Sequence, residues 1–239
     1  MSLDDLVTQL RHALGDPLEA IVLYGSAASG EQVAGRSDVN VMVVARLYHM
    51  ATLHTLGPTM RAWQEAGNPP VLMLTRDEWL GSADIFPMEY ADLLERHRVL
   101  HGALPLDGVR VRTADLRLQV EQEAMGKLLR LRRGIMVAGD DLAAQQELLR
   151  ASVSSLLVIF RGVLRLHGTV PPRDAQQVVD AVATLAGFAA APFRSALALR
   201  AGMAEASADT TMVLDGYVHG MAALVTYLDR FAPPATPDR

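Results

Sequence analysis

The chain has 239 residues, half of them apolar but only 5% aromatic, and a formal net charge of −5. That length can bury one or two cores, and so few aromatics leave the filling to Ala, Leu and Val, which suits helix-on-helix packing. The absence of cysteine excludes disulfides, thiolate metal sites and cysteine nucleophiles, and the acidic balance argues against a nucleic-acid partner, because phosphate-tracking surfaces are basic.

Leu3, Leu6, Val7, Leu10 and Leu14 recur at helical spacing, and Gly15 with Pro17 ends that helix. No basic leader precedes an apolar run, and the longest apolar stretch, "SVSSLLVIF", stops at Arg161, well short of the ~18 residues a membrane span needs. The expectation is a cytoplasmic chain with no membrane partner.

"LEAIVLYG" is a short apolar run of the kind found in strands covered on both faces. "SDVNVMVVA" predicts a second strand, with Val39, Val41 and Val43 on one face and Asp38, Asn40 and Met42 on the other. A helix follows from His49 to Ala66, then a third strand "VLMLT", a helical turn at "RDEWL", and an amphipathic helix through "PMEYADLLERHRVL" with Pro87 near its start. After "HGALPLDG" strand signals all but vanish. Helices are expected over roughly 115–138, 141–167, 174–187, 191–205 and 209–231. The outline is an α+β chain: a small mixed-sheet domain over residues 1–105 and an all-α helical bundle over 106–239.

Chemistry concentrates in "VLYGSAASGEQVAGRSDVNVMVV". Gly25 permits a tight turn after the first strand. Ser26 offers a hydroxyl and an N–H where a helix start would favour an anion. Ser37 precedes Asp38, and Asp38 and Asn40 leave the second strand on one face. Two carboxylates at that spacing can share a hard divalent cation; here the second is an amide.

This stretch resembles the nucleotidyltransferase fold related to DNA polymerase β: Gly-Ser, a polar loop, then Ser-Asp-x-Asp and a hydrophobic strand. It is most similar to the two-domain bacterial branch that includes kanamycin nucleotidyltransferase and the minimal nucleotidyltransferases. The resemblance implies that Gly25, Ser26 and Ser37 hold the phosphates of an NTP. It implies that Asp38, with Asn40 in the second acid's place, ligates Mg²⁺. It also implies transfer of a nucleoside monophosphate to a small-molecule or protein hydroxyl.

The sequence departs from that pattern at three points. Asn40 brings no charge, "VLMLT" carries no third acid, and "SAASGE" lacks the arginine common after the Gly-Ser turn, a place Arg36 could take. Asp77, Glu78, Asp84 and Glu89 are the candidates for a displaced third carboxylate. These departures leave open a second reading: a catalytically degenerate nucleotide-binding or protein-interaction module, of sensor or toxin–antitoxin type, with a homodimer also open.

In the second domain Glu123 and the chain's sole lysine, Lys127, stand at i, i+4 on one helix face. By the same resemblance Glu123 is the general base for the acceptor hydroxyl and Lys127 neutralises phosphate charge, although such pairs also decorate solvated helix faces. Gly126 beside them suggests a close approach. Arg130 and Arg133 continue the face, as a basic wall for triphosphate or equally as a solvated face, and Arg161 with Arg165 forms another i, i+4 pair that could equally bridge to acids on a neighbouring helix. His97 and His101 lack the surroundings of a metal motif, and a helix-end or packing role is expected for them.

Overall fold

Capping chemistry and burial explain the first helix. In the computed structural model, which describes residues 1–28, 39–203 and 209–232 without the side chain of Ser26, α1 spans Leu3–Leu14. The Ser2 hydroxyl accepts from the Asp5 N–H, and the Asp5 carboxylate accepts from the Ser2 N–H, each at 3.1 Å. This reciprocal cap satisfies two N-terminal donors, while Leu6, Leu10 and Leu14 turn inward.

The chain divides into two compact units, Met1–Val111 and Arg112–Arg239. The first is built on strands β1 (Leu18–Tyr24), β2 (Asn40–Ala45), β3 (Leu72–Thr75) and β4 (His97–Gly102). They form a mixed sheet in the order β3-β2-β1-β4. β1 runs antiparallel to β2 and β4, and β2 runs parallel to β3. Alternation along the strands feeds two cores. Ile21, Leu23, Val41 and Val43 pack with Leu6, Leu10, Leu56 and Trp63 from α1 and α2 (Met50–Glu65). On the other face Ala20, Val22, Met42 and Val44 pack with Trp79, Tyr90 and Leu93 from α3 (Arg76–Gly81) and α4 (Pro87–Glu95). Trp79 stacks on Tyr90 at 4.4 Å, the Tyr90 hydroxyl donates to the Trp79 carbonyl, and the Trp79 indole donates to the Pro105 carbonyl. Both amphipathic rings therefore have their polar ends satisfied.

The sheet corrects one expectation. The helix expected through "PMEYADLLERHRVL" stops at Glu95, and His97–Gly102 is the fourth strand. Helical periodicity fits the sequence up to Glu95. Beyond it, β1 is an inner strand whose second edge must find hydrogen-bond partners, and that demand outweighs local helix propensity. His97 and His101 consequently sit opposite Tyr24 and Ile21 in the sheet. The His97 ring lies 2.8 Å from the Leu93 carbonyl at the end of α4.

In the second unit α5 (Thr113–Ala138), α6 (Leu142–Leu166), α7 (Ala175–Ala186), α8 (Ala191–Ala201) and α9 (Thr210–Arg230) pack as a bundle. Asp141 and Asp174 cap α6 and α7 by accepting backbone N–H groups. The helix expected over 191–205 ends at Ala201, because Gly202 takes a left-handed conformation at its C-terminus. α6 supplies the largest share of the core, including Leu149, Val153, Leu156, Phe160 and Val163. Phe160, Phe193 and Tyr217 join in an aromatic chain with centroids 5.4 and 4.6 Å apart. The buried Tyr217 hydroxyl meets Ser152 at 2.9 Å, and the Ser152 hydroxyl lies 3.0 Å from the Leu149 carbonyl. That relay keeps a polar group satisfied inside an apolar bundle. Among the described residues no helix is long and apolar enough to cross a membrane.

Gly102 locks β4 to β1. Its φ is +69°, and a Cβ there would fall 1.8 Å from the Glu19 carbonyl oxygen. Gly102→Ala is expected to destabilise the first unit by about 3 kcal/mol or more, because strain and a backbone clash add. Gly67→Ala, at a φ of +84° in open space, should cost only about 1 kcal/mol. Trp63 and Trp79 are the chain's two tryptophans and both lie in this unit, so fluorescence-monitored urea unfolding reads the difference directly.

Candidate functional site

Where β1 ends, the backbone turns on Gly25. Its φ of +73° is one that side chains resist. It opens a 3-10 turn over Gly25–Ala27, closed by the Ala28 N–H on the Gly25 carbonyl at 3.1 Å. A turn this short has too few aligned peptides for a helix-dipole anion site, so any phosphate held here depends on individual N–H groups. Asn40 opens β2 directly opposite Tyr24. A Cβ on Gly25 would lie 3.1 Å from the Asn40 side-chain nitrogen. The amide thus covers the Gly25 Cα, and glycine is favoured there by space as well as by φ. Ser37, Asp38 and Arg36, like the Ser26 side chain, lie outside the described residues.

Tyr24 and Leu72 also belong to this end of the sheet. Tyr24 packs with the cluster containing Val22, Met42 and Val44. Its phenol is pushed up first by burial, then by the nearby negative charges of Glu89 and Asp92 on α4. Leu72 pairs with Met42, two residues along β2 from Asn40 and on the same face. It is apolar and 41% exposed at the strand position nearest to where a third carboxylate would stand.

The other candidate acids are engaged elsewhere. The Glu78 carboxylate accepts from the Thr75 N–H at 2.7 Å in the capping box of α3. Asp77 lies in the same first turn. Asp84 is exposed and acts on Tyr90, whose phenol is pushed up to about 12, chiefly by burial. Glu89 alone among the candidate acids acts on the Tyr24 phenol, at the end of β1. Sequence reasoning passed over Tyr24, Asp92 and Leu72. The i, i+3 spacing of Glu89 and Asp92 was the signal available for one of them.

A two-cation centre does not fit the described residues here. No group of three or more acids or histidines among them could hold a metal ion, and Asn40 with Leu72 leaves the β2–β3 side uncharged. Asn40 offers an amide oxygen, a neutral ligand for a hard cation.

In the second unit Glu123 and Lys127 both lie on α5. Glu123 is about half exposed and faces Arg130 at 3.7 Å, a contact too long and too wet to contribute much. Lys127 is half-buried, and its ammonium is pushed down first by burial and then by Arg130, with Glu123 opposing. Gly126 marks no close approach, since a Cβ there would meet only the Arg130 side chain at an ordinary 3.7 Å. The close approach is at Gly134, where a Cβ would meet Leu148 of α6 at 2.5 Å. Arg161 and Arg165 are half-buried on α6.

No protein-family model matches the sequence, and no curated protein matches it. Among solved structures it is similar to the crystal structure of spectinomycin adenyltransferase AAD(9) from Enterococcus faecialis with ATP and spectinomycin. The TM-score is 0.60 at 13% identity, over 95% of this chain and 98% of that one. At that identity the likeness speaks for the fold alone, and it runs from end to end. The chain is an α+β protein, a mixed-sheet domain followed by a helical domain, and it shares that fold with the adenyltransferase.

Proposed function

We propose that the chain is a nucleotidyltransferase that moves a nucleoside monophosphate from an NTP to the hydroxyl of a small molecule or protein. The observation that carries this reading is the left-handed Gly25 turn under Asn40, at the start of the strand that follows Asp38. The end-to-end likeness to an adenyltransferase solved with ATP and spectinomycin supports an NTP donor and a small acceptor.

In this reading backbone N–H groups of Gly25 and Ser26, with Ser37, hold the phosphates. Asp38 and Asn40 hold one Mg²⁺, which when bound offsets charge on the triphosphate. The acceptor oxygen attacks the α-phosphorus, pyrophosphate leaves, and the hydroxyl proton passes to Glu123. Lys127 offsets phosphate charge, and its desolvated ammonium gains more from an anion than a solvated one would.

A second reading, a degenerate nucleotide-binding or protein-interaction module, is favoured by the uncharged Asn40–Leu72 side of the sheet. Turnover separates the two. Under the first, the protein labels an acceptor from α-labelled ATP with Mg²⁺ or Mn²⁺, and Asp38→Ala loses at least about 100-fold. Absence of turnover with every NTP and either metal leaves only the second. In both readings Asn40→Asp with Leu72→Glu should tighten Mg²⁺-dependent ATP binding by about tenfold or more. Calorimetry with and without EDTA measures it, and unchanged metal dependence would remove this face of the sheet from the nucleotide site.

Lys127 supplies an independent check. As the only lysine it gives a single ¹³C-dimethyl-lysine signal after reductive methylation. Its midpoint should lie below that of ordinary lysine, matching the direction of its shift, and saturating ATP should move it upward. The sign for stability follows: the folded state disfavours the charged form, so this group's cost is full at neutral pH. That cost falls as pH rises through the folded midpoint toward the ordinary lysine value. An ATP-insensitive midpoint would remove Lys127 from the phosphate site.

A further inference from the structure

The second unit contains a groove that the reaction above does not use. α5 and α6 touch at Gly134 and Leu148, and beside that crossing lies an open trough of about 620 Å³. Its walls are apolar, formed by Gly134, Val137, Ala138, Ala144, Leu148 and Ala151, with Arg130 and Arg133 at the rim. Past Arg130, Leu148 and Ala151 it continues into a recess of about 150 Å³ bordered by Lys127, Leu131 and Ser152.

The rim charges are unbalanced. Glu147, the acid beside the trough, is taken by Arg150 at 3.0 Å. Glu123 reaches Arg130 only at 3.7 Å. Among the described residues Arg133 and Lys127 make no ion pair. An apolar floor beside an unpaired Arg133 and a loosely paired Arg130, with the lining Glu147 already held by Arg150, suits one kind of solute. A neutral amphiphile would leave the cations unmatched, and a bare polyanion would leave the floor wet.

We propose that the α5–α6 groove binds a small amphipathic anion: an aromatic or aliphatic body in the Gly134–Leu148 trough, with one carboxylate, sulfonate or phosphate on Arg130 and Arg133. The site lies wholly within the second unit and stands whether or not the protein turns over an NTP. Volume is consistent with a ligand of this size, since small-molecule sites run from about 300 to 1,000 Å³.

The test uses the full chain and 8-anilinonaphthalene-1-sulfonate, with fluorescence titration and calorimetry. Saturable one-to-one binding is expected. Arg133→Glu should weaken it about tenfold or more, and Ala151→Phe should abolish it by filling the trough. Both positions are exposed, so unchanged circular dichroism and melting are expected of both variants. Tripolyphosphate should displace the probe only weakly. Undiminished binding in both variants would overturn the proposal, as would equal uptake of a neutral amphiphile or efficient displacement by tripolyphosphate. So would a concentration-dependent dimer, seen by light scattering and broken by Ala151→Phe, because the exposed Met136 and Val137 would then mark a second copy as the occupant.

Discussion

β1 is apolar on both faces, so every backbone N–H and carbonyl along it must be satisfied within the sheet. Water cannot reach Ala20, Ile21 or Val22, each fully buried. Both edges therefore need strands, β2 on one side and β4 on the other. This one requirement sets the order of the sheet and ends α4 at Glu95. It also brings Gly102 so close to the Glu19 carbonyl that no side chain fits. The two cores follow from it, because strand alternation sends Ile21 and Val43 to one face and Val22 and Met42 to the other.

The same strand delivers the candidate site. β1 ends at Tyr24, the turn begins at Gly25, and the antiparallel register sets Asn40 beside both. What is unusual is the distribution of charge. The strands offer an amide at Asn40 and a leucine at Leu72, and neither β2 nor β3 carries a carboxylate. The negative charge felt by the Tyr24 phenol comes instead from Glu89 and Asp92 on α4. A carboxylate on a helix has longer reach but less fixed geometry than one on a strand, and it is placed by the packing of α4 on Trp79 and Tyr90 rather than by the sheet.

The helical unit obeys a different constraint. With few aromatics, its helices approach closely through glycines: Gly134 under Leu148, and Gly220 under Phe193, where a Cβ would meet the ring at 2.5 Å. Close approach at a point leaves space beside it. The groove along α5 and α6 is that space, and its lining of small residues below arginines follows from the composition of the two helices.

Much of this was legible in the residues. The capped α1, the two apolar strands, the Gly-Ser turn and the run of helices after residue 112 are local patterns, set by side-chain period and by glycine and proline. Their energetics involve neighbours in the chain, so sequence alone determines them. The fourth strand was not legible, because "HRVLHG" becomes a strand only through the unpaired edge of β1. Nor could the sequence show that Glu89 and Asp92 act on the Tyr24 phenol, or that the close helix contact is at Gly134 and not Gly126. Each of these depends on residues far apart in the chain or on which rotamer the packing allows. Electrostatics and close approach act through space, and only the tertiary structure sets those distances.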